Sequence, residues 1–133
     1  MVLVPVGEGL SPAERRRLEH AVEVAEELSG LTFSVFLGVS EEDARAYAER
    51  LHSSLPSPED SVLVFCDPGF RVLEIVTGSQ VRRVLDDFDC RLAAMSMQTS
   101  FQGGDIIGGL VNGIQQLGQS ARHPKTLHTV RQG

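Results

Sequence analysis

The sequence predicts an α/β domain, a small mixed sheet with helices on both faces, in the order α-β-α-β-β-α-α-α. Three observations carry this expectation. An alternating segment at 32–39, a helical stretch and a continuous apolar run at 62–66 make a β-α-β unit, whose crossover is right-handed by rule. The turn Asp67-Pro68-Gly69-Phe70 then sends the chain back as a further strand, antiparallel to the run before it. Helical periodicity flanks this unit on both sides, from Ser11 to Gly30 and from Asp105 to Leu117.

Each element has a local reason. Ser11-Pro12-Ala13-Glu14 places a hydroxyl, a proline at the first helical position and a reciprocal carboxylate, which is a capping box. Leu18, Ala21, Val22, Ala25 and Leu28 give that helix one apolar face, and Gly30 supplies a left-handed stop. Phe33, Val35, Leu37 and Val39 alternate with Thr32, Ser34, Phe36 and Gly38, the period of a strand. Ser40 is the expected cap of the next helix, with Asp43 as its partner, and Ala44, Tyr47, Ala48, Leu51 and Leu55 form its stripe until Pro56. Val62-Leu63-Val64-Phe65-Cys66 reads as a strand buried on both faces, and 71–77 as its hairpin partner. From Gly78 the period turns helical through Val81, Val84, Leu85 and Phe88, with a break expected at Asp87 to Asp89 and a second helix over 92–99. Gly103-Gly104-Asp105 opens the last helix, which carries Ile106, Ile107, Leu110, Val111, Ile114 and Leu117.

The chain has 133 residues, 41% apolar and 23% charged, so one domain is expected, over 1–120, with a mobile tail at 121–133. At this length about two-thirds of the unfolded surface is buried, and neither disulfides nor a structural metal is needed to hold a core. Twelve basic against eighteen acidic residues give a net charge of −6, which excludes a nucleic-acid footprint and favours cations over free anions. Arg122, Lys125 and Arg131 lie in a final stretch without acids, so the rest is more acidic still. No segment has the form of a secretory signal or the length of a membrane helix, so no membrane insertion is expected. Cys66 and Cys90 read as reduced thiols, which places the chain in the cytoplasm.

Two groups of residues suggest chemistry. Thr77-Gly78-Ser79 puts hydroxyls around a glycine turn at a strand-to-helix junction, where free N–H groups can hold an anion; Ser79 serves equally as a simple cap. Asp86, Asp87 and Asp89 crowd three carboxylates that repel one another unless a divalent cation neutralises them; the other reading is a solvated acidic corner. Asp105 is a helix cap that can share a functional role. No G-x-G-x-x-G, G-x-S-x-G or EF-hand spacing is present.

Taken together, VLVFCDPGFRVLEIVTGS, the following VLDDFD and FQGGDIIGGLVNGIQQL resemble the TPM domain family. The resemblance implies a three-layer α/β/α sandwich and an acidic cleft that in some relatives binds calcium or shows weak acid phosphatase activity. On this view Asp86, Asp87, Asp89 and Asp105 hold calcium or magnesium, Thr77, Gly78 and Ser79 hold a phosphoryl oxygen, and no organic cofactor is used. The turn Gly78-Ser79-Gln80 stands where the family carries a Gly-Tyr-Gly-like turn, which favours the alternative, a non-catalytic protein-protein interaction module on the same scaffold. An unidentified protein partner and a monomer or weak dimer are the matching expectations.

Overall fold

A computed structural model of the chain describes residues 1–3 and 9–130, with the side chains of 122–130 excepted. Its sheet has four strands in the order β1 (Val2–Leu3), β2 (Thr32–Leu37), β3 (Ser61–Asp67) and β4 (Val72–Thr77). The first three are parallel; β4 runs antiparallel to β3, as the hairpin turn requires. Helices α1 (Pro12–Ser29), α2 (Ala44–Ser53), α3 (Asp87–Gln102) and α4 (Ile106–Val130) cover the two faces.

The period of two along the strands divides the core. Phe36, Leu63, Phe65 and Val76 point to the α2 side and meet Tyr47 and Ala48. There Phe36 stacks on Phe65 at 5.3 Å, and Tyr47 stands edge-on to both rings, the arrangement that aromatic quadrupoles favour. On the other side Phe33, Val35, Leu37, Val62, Val64 and Cys66 meet α1, α3 and α4. Helix α4 lies between α1 and α3 and packs on both. The α/β sandwich expected from the sequence is therefore present, with one helix on one face and three on the other.

Close helix crossings explain the glycines of α4. A Cβ at Gly118 would lie 2.8 Å from the Ala25 Cα, and one at Gly113 would lie 2.3 Å from the Met97 Cε. The roughly 1 kcal/mol that each glycine costs a helix is offset by this approach of α4 to α1 and α3.

Several boundaries differ from the expectation. Strand β1 was not anticipated, because two residues carry no periodicity; it pairs Val2 with Val35 and Leu3 with Phe36. Helix α2 is capped by Asp43, which accepts from the Ala46 N–H, and not by Ser40. The segment after β4 is a single 3-10 turn (Val81–Arg83) that sets Val81 and Leu85 in the core. Asp86 then starts one continuous α3, so the acidic stretch read as a helix break is a helix beginning, and Phe88 is exposed. Helix α4 continues past Gln119 to Val130. The mobile tail expected at 121–133 falls largely outside the described residues, since beyond 121 only the helical backbone to Val130 is described.

Candidate functional site

The C-terminal ends of parallel strands are the usual ligand-binding end of an α/β sheet. Here that end is closed by one side chain. Asp67, 1% exposed at the end of β3, accepts from the N–H groups of Ser40 (3.0 Å), Gly69 (3.1 Å) and Phe70 (3.4 Å). Its carboxylate ties the β2–α2 loop to the β3–β4 turn, and its acceptors are used by the backbone.

An open feature among the described residues is the outer edge of β4. Cys66 gives its carbonyl to Gly38 on the β2 side, while Ser61 accepts from the Gly78 N–H on the β4 side. Hydrogen-bonding directions alternate along a strand, so the main-chain groups of Leu73, Ile75 and Thr77 face away from β3. Two arginines confirm the direction: Arg45 Nη1 donates to the Ile75 carbonyl (3.1 Å) and Arg82 Nη2 to the Thr77 carbonyl (2.8 Å). Between α2 and α3 this edge forms the floor of a groove made of two adjoining hollows of about 320 and 440 Å³, which share Arg45, Thr77 and Arg82.

Charge and reactivity in the groove follow from its walls. Arg45 is held by Glu49 (2.8 Å) and Glu74 (3.2 Å), whereas Arg82 and Arg91 have no carboxylate partner among the described residues. Arg91 instead lies against the Phe88 ring, 5.9 Å from its centre. Burial, followed by the nearby Asp87, Asp89 and Asp86 carboxylates, pushes the Cys90 thiol up to about 11, so this groove-lining cysteine is a poor nucleophile at neutral pH.

The residues singled out in the sequence are only partly brought together. Thr77 and Asp87 line the 320 Å³ hollow, and Thr77, Gly78 and Ser79 line the 440 Å³ one. The Gly78 N–H is spent on Ser61, and a Cβ at this position would lie 1.9 Å from the Pro58 carbonyl oxygen, so close packing explains the glycine. Asp86 and Asp89 cap α3 reciprocally, Asp89 N–H to Asp86 Oδ1 at 2.9 Å and Asp86 N–H to Asp89 Oδ2 at 3.1 Å. Asp105 accepts from the Gly108 N–H at 3.0 Å as the α4 cap. The 16 residues of α3 separate these two caps, a helix length of about 24 Å. The four aspartates therefore do not surround one cation, and among the described residues no three His, Cys, Asp or Glu side chains converge as a metal site.

Arg45, Arg82 and Arg91 escaped the sequence reading because each stands on a different element. Only the placement of β4 at the sheet edge brings them to one groove. His52, also on its wall, is buried and its Nε2 lies 2.9 Å from the Ser61 carbonyl oxygen.

A compact α/β sandwich with a guarded strand edge is thus the class that the fold and site define. The chain belongs to the family described as a domain of unknown function, DUF5130, whose model matches residues 5–118. This corrects the resemblance to the TPM domain family: the matching family is DUF5130. The uncharacterised proteins Rv2468c and MT2543, from two strains of Mycobacterium tuberculosis, are each 27% identical to it over 100 residues. The match covers 75% of this chain and 60% of each relative, so the chain spans less than two-thirds of their length. Among solved structures, the BA42 protein of Bizionia argentinensis shares the fold at a TM-score of 0.78 and 22% identity, covering 88% of this chain and 84% of that one. The N-terminal domain of the cg2496 protein of Corynebacterium glutamicum does so at a TM-score of 0.74 and 14% identity, over 90% and 78%. Among the described residues no helix is long and apolar enough to cross a membrane.

Proposed function

We propose that this domain is a non-catalytic protein-interaction module that meets its partner along the β4 edge and the outward face of α3. The observation that carries this reading is a stripe of apolar side chains in water: Phe88, Leu92 and Met95 are 57%, 42% and 62% exposed. Their spacing of four and three residues aligns them on one helical face, opposite the buried Ala93, Met97 and Phe101. Apolar side chains grouped in this way are what contact surfaces present, and the adjoining face of the same helix, with Asp87, Cys90, Arg91 and Ala94, lines the groove at the β4 edge. Two features of the groove fit a non-catalytic reading. Burial and the nearby carboxylates push the Cys90 thiol up to about 11, and Asp86 and Asp89 serve as reciprocal caps.

The test pairs capture with an activity assay. A photo-crosslinking residue at Leu92 is expected to trap a defined protein in cells of the source organism, whereas the same residue at the exposed Phe70 in the β3–β4 turn traps none. Equal capture at both positions refutes the contact surface. Hydrolysis of p-nitrophenyl phosphate that requires calcium or magnesium and disappears in Asp87→Asn would replace this reading with a catalytic one.

A further inference from the structure

Asp67 closes the sheet above its parallel strands, but beside the β3–β4 turn at that same end lies a hollow of about 330 Å³, lined by Arg71, Gln98, Phe101 and Gln102. It shares no lining residue with the two hollows of the β4 groove. Its size fits a ligand smaller than an ordinary organic cofactor.

Arg71 holds a backbone conformation that its residue type disfavours. Its φ of 56° lies in the left-handed region, which glycine and asparagine enter readily and a longer side chain does not. Its N–H closes the turn onto the Pro68 carbonyl (3.4 Å), a bond that a glycine or asparagine there would make equally well. Among the described residues its guanidinium has no ion-pair or hydrogen-bond partner, so no contact within the fold offsets the strain. A strained position whose side chain the fold does not use is where a ligand contact is expected.

The rest of the lining narrows the ligand. Gln98 and Gln102 stand one turn apart on α3, and Phe101, 8% exposed, supplies an apolar wall. No carboxylate lines the hollow. The acids nearest along the chain are already engaged: Glu74 by Arg45, Asp67 by the N–H groups of Ser40, Gly69 and Phe70, and Asp105 by that of Gly108. Helix α3 ends here, with its last carbonyls taken by the N–H groups of Gly103, Gly104 and Asp105. The negative end of its dipole still opposes a dianion, so one guanidinium answers one negative charge. The planar guanidinium fork matches a planar carboxylate, and amide NH2 groups can add donors to its oxygens.

We infer that this hollow binds a small organic acid, a single carboxylate on an apolar or aromatic body. Its oxygens meet the Arg71 guanidinium and the Gln98 and Gln102 amides, and its carbon body lies against Phe101. The site is independent of the interaction surface on α3 and stands or falls apart from it.

The experiment is an NMR titration of the isotope-labelled full chain with 3-phenylpropionate, 3-phenylpropionamide, acetate, inorganic phosphate and acetyl-glycyl-phenylalanine as separate probes. Saturable shifts are expected with 3-phenylpropionate at the Arg71 amide and at the Gln98 and Gln102 side-chain amides, weakening with added salt. The neutral amide and acetate should each bind at least ten-fold more weakly. Arg71→Gly relieves the left-handed backbone, so its urea midpoint should equal or exceed that of the native chain while binding weakens about ten-fold, a loss of about 1.4 kcal/mol. Arg71→Asn, also at home in that conformation, should weaken binding equally and serves if the glycine variant loses stability. Undiminished affinity in either folded variant, shifts confined to other surfaces, no saturable shift, or equal binding of the neutral amide, acetate or phosphate would each overturn the inference. Tighter binding of acetyl-glycyl-phenylalanine than of 3-phenylpropionate would overturn the small acid in favour of a chain terminus with the same carboxylate chemistry.

Discussion

The substitution Asp67→Asn tests the clamp that closes the C-terminal end of the parallel strands. In the native chain Oδ1 accepts from Gly69 and Phe70, and Oδ2 accepts from Ser40. An asparagine oxygen can take the place of Oδ1, but its NH2 then faces the Ser40 N–H, donor against donor. One charge-assisted bond is lost outright, two become ordinary neutral bonds, and the Ser40 N–H is left short of a partner. At about 1.5–3 kcal/mol for a bond to a charged group and about 1 kcal/mol for a neutral one, the gross loss is about 3–5 kcal/mol. Neutralising a buried group also removes its desolvation cost, which brings the expected net loss to about 2–3 kcal/mol. An unfolding entropy of about 2.1 cal/mol/K per residue turns this into a fall in Tm of about 7–11 °C for a chain of this length. Urea unfolding and calorimetry measure the loss, and amide exchange at Ser40 should quicken beyond the general change. A loss below about 0.5 kcal/mol, or unchanged exchange at Ser40, would show that the carboxylate does not hold these loops.

Three further outcomes follow from the geometry. Gly78→Ala drives a Cβ to within 1.9 Å of the Pro58 carbonyl oxygen and 2.5 Å of that of Glu59, both backbone, and should cost about 1–3 kcal/mol in urea unfolding. Asp86→Ala should cost about 1 kcal/mol by removing the α3 cap, while Asp86→Asn stays within about 0.5 kcal/mol; a calcium-induced rise in Tm that Asp86→Asn abolishes would show a cation ligand beyond the cap. Burial, then Asp67, raises the Cys66 thiol to about 12, against about 9 unfolded. Between these values the folded chain binds more protons than the unfolded one, so this group's contribution to stability is intact below about pH 9 and is lost as pH rises toward 12. Urea midpoints at pH 8 and pH 10.5 should show a smaller fall in Cys66→Ala than in the native chain, and equal falls would contradict the assignment.

Much of the fold was legible because burial imposes periodicity. The capping box at Ser11 and Glu14 and the left-handed Gly30 are present where their chemistry placed them. The apolar run 62–66 is the buried β3, and Asp67-Pro68-Gly69-Phe70 is the turn to β4. What escaped detection has no local period. Strand β1 is too short to alternate, and the spacing of Val81 and Leu85, read as helix, is equally served by a 3-10 turn over a core. The acidic run from Asp86 to Asp89 was read as mutual repulsion seeking a cation, but Asp86 and Asp89 are turned onto each other's backbone N–H groups. The groove was the least legible part. Its arginines lie at positions 45, 82 and 91, and nothing in the order of residues states which strand of a sheet has a free side.

That free side has a consequence for how the molecule behaves at high concentration. A four-stranded sheet has two ends at which another copy could be stitched on, strand to strand, into an unlimited fibre. At one end the terminal strand is two residues long, and at the other two arginines occupy the carbonyls that a newcomer would need. Among the described residues both ends of the sheet thus carry a feature that hinders strand-to-strand addition, a very short strand at one and arginine-occupied carbonyls at the other.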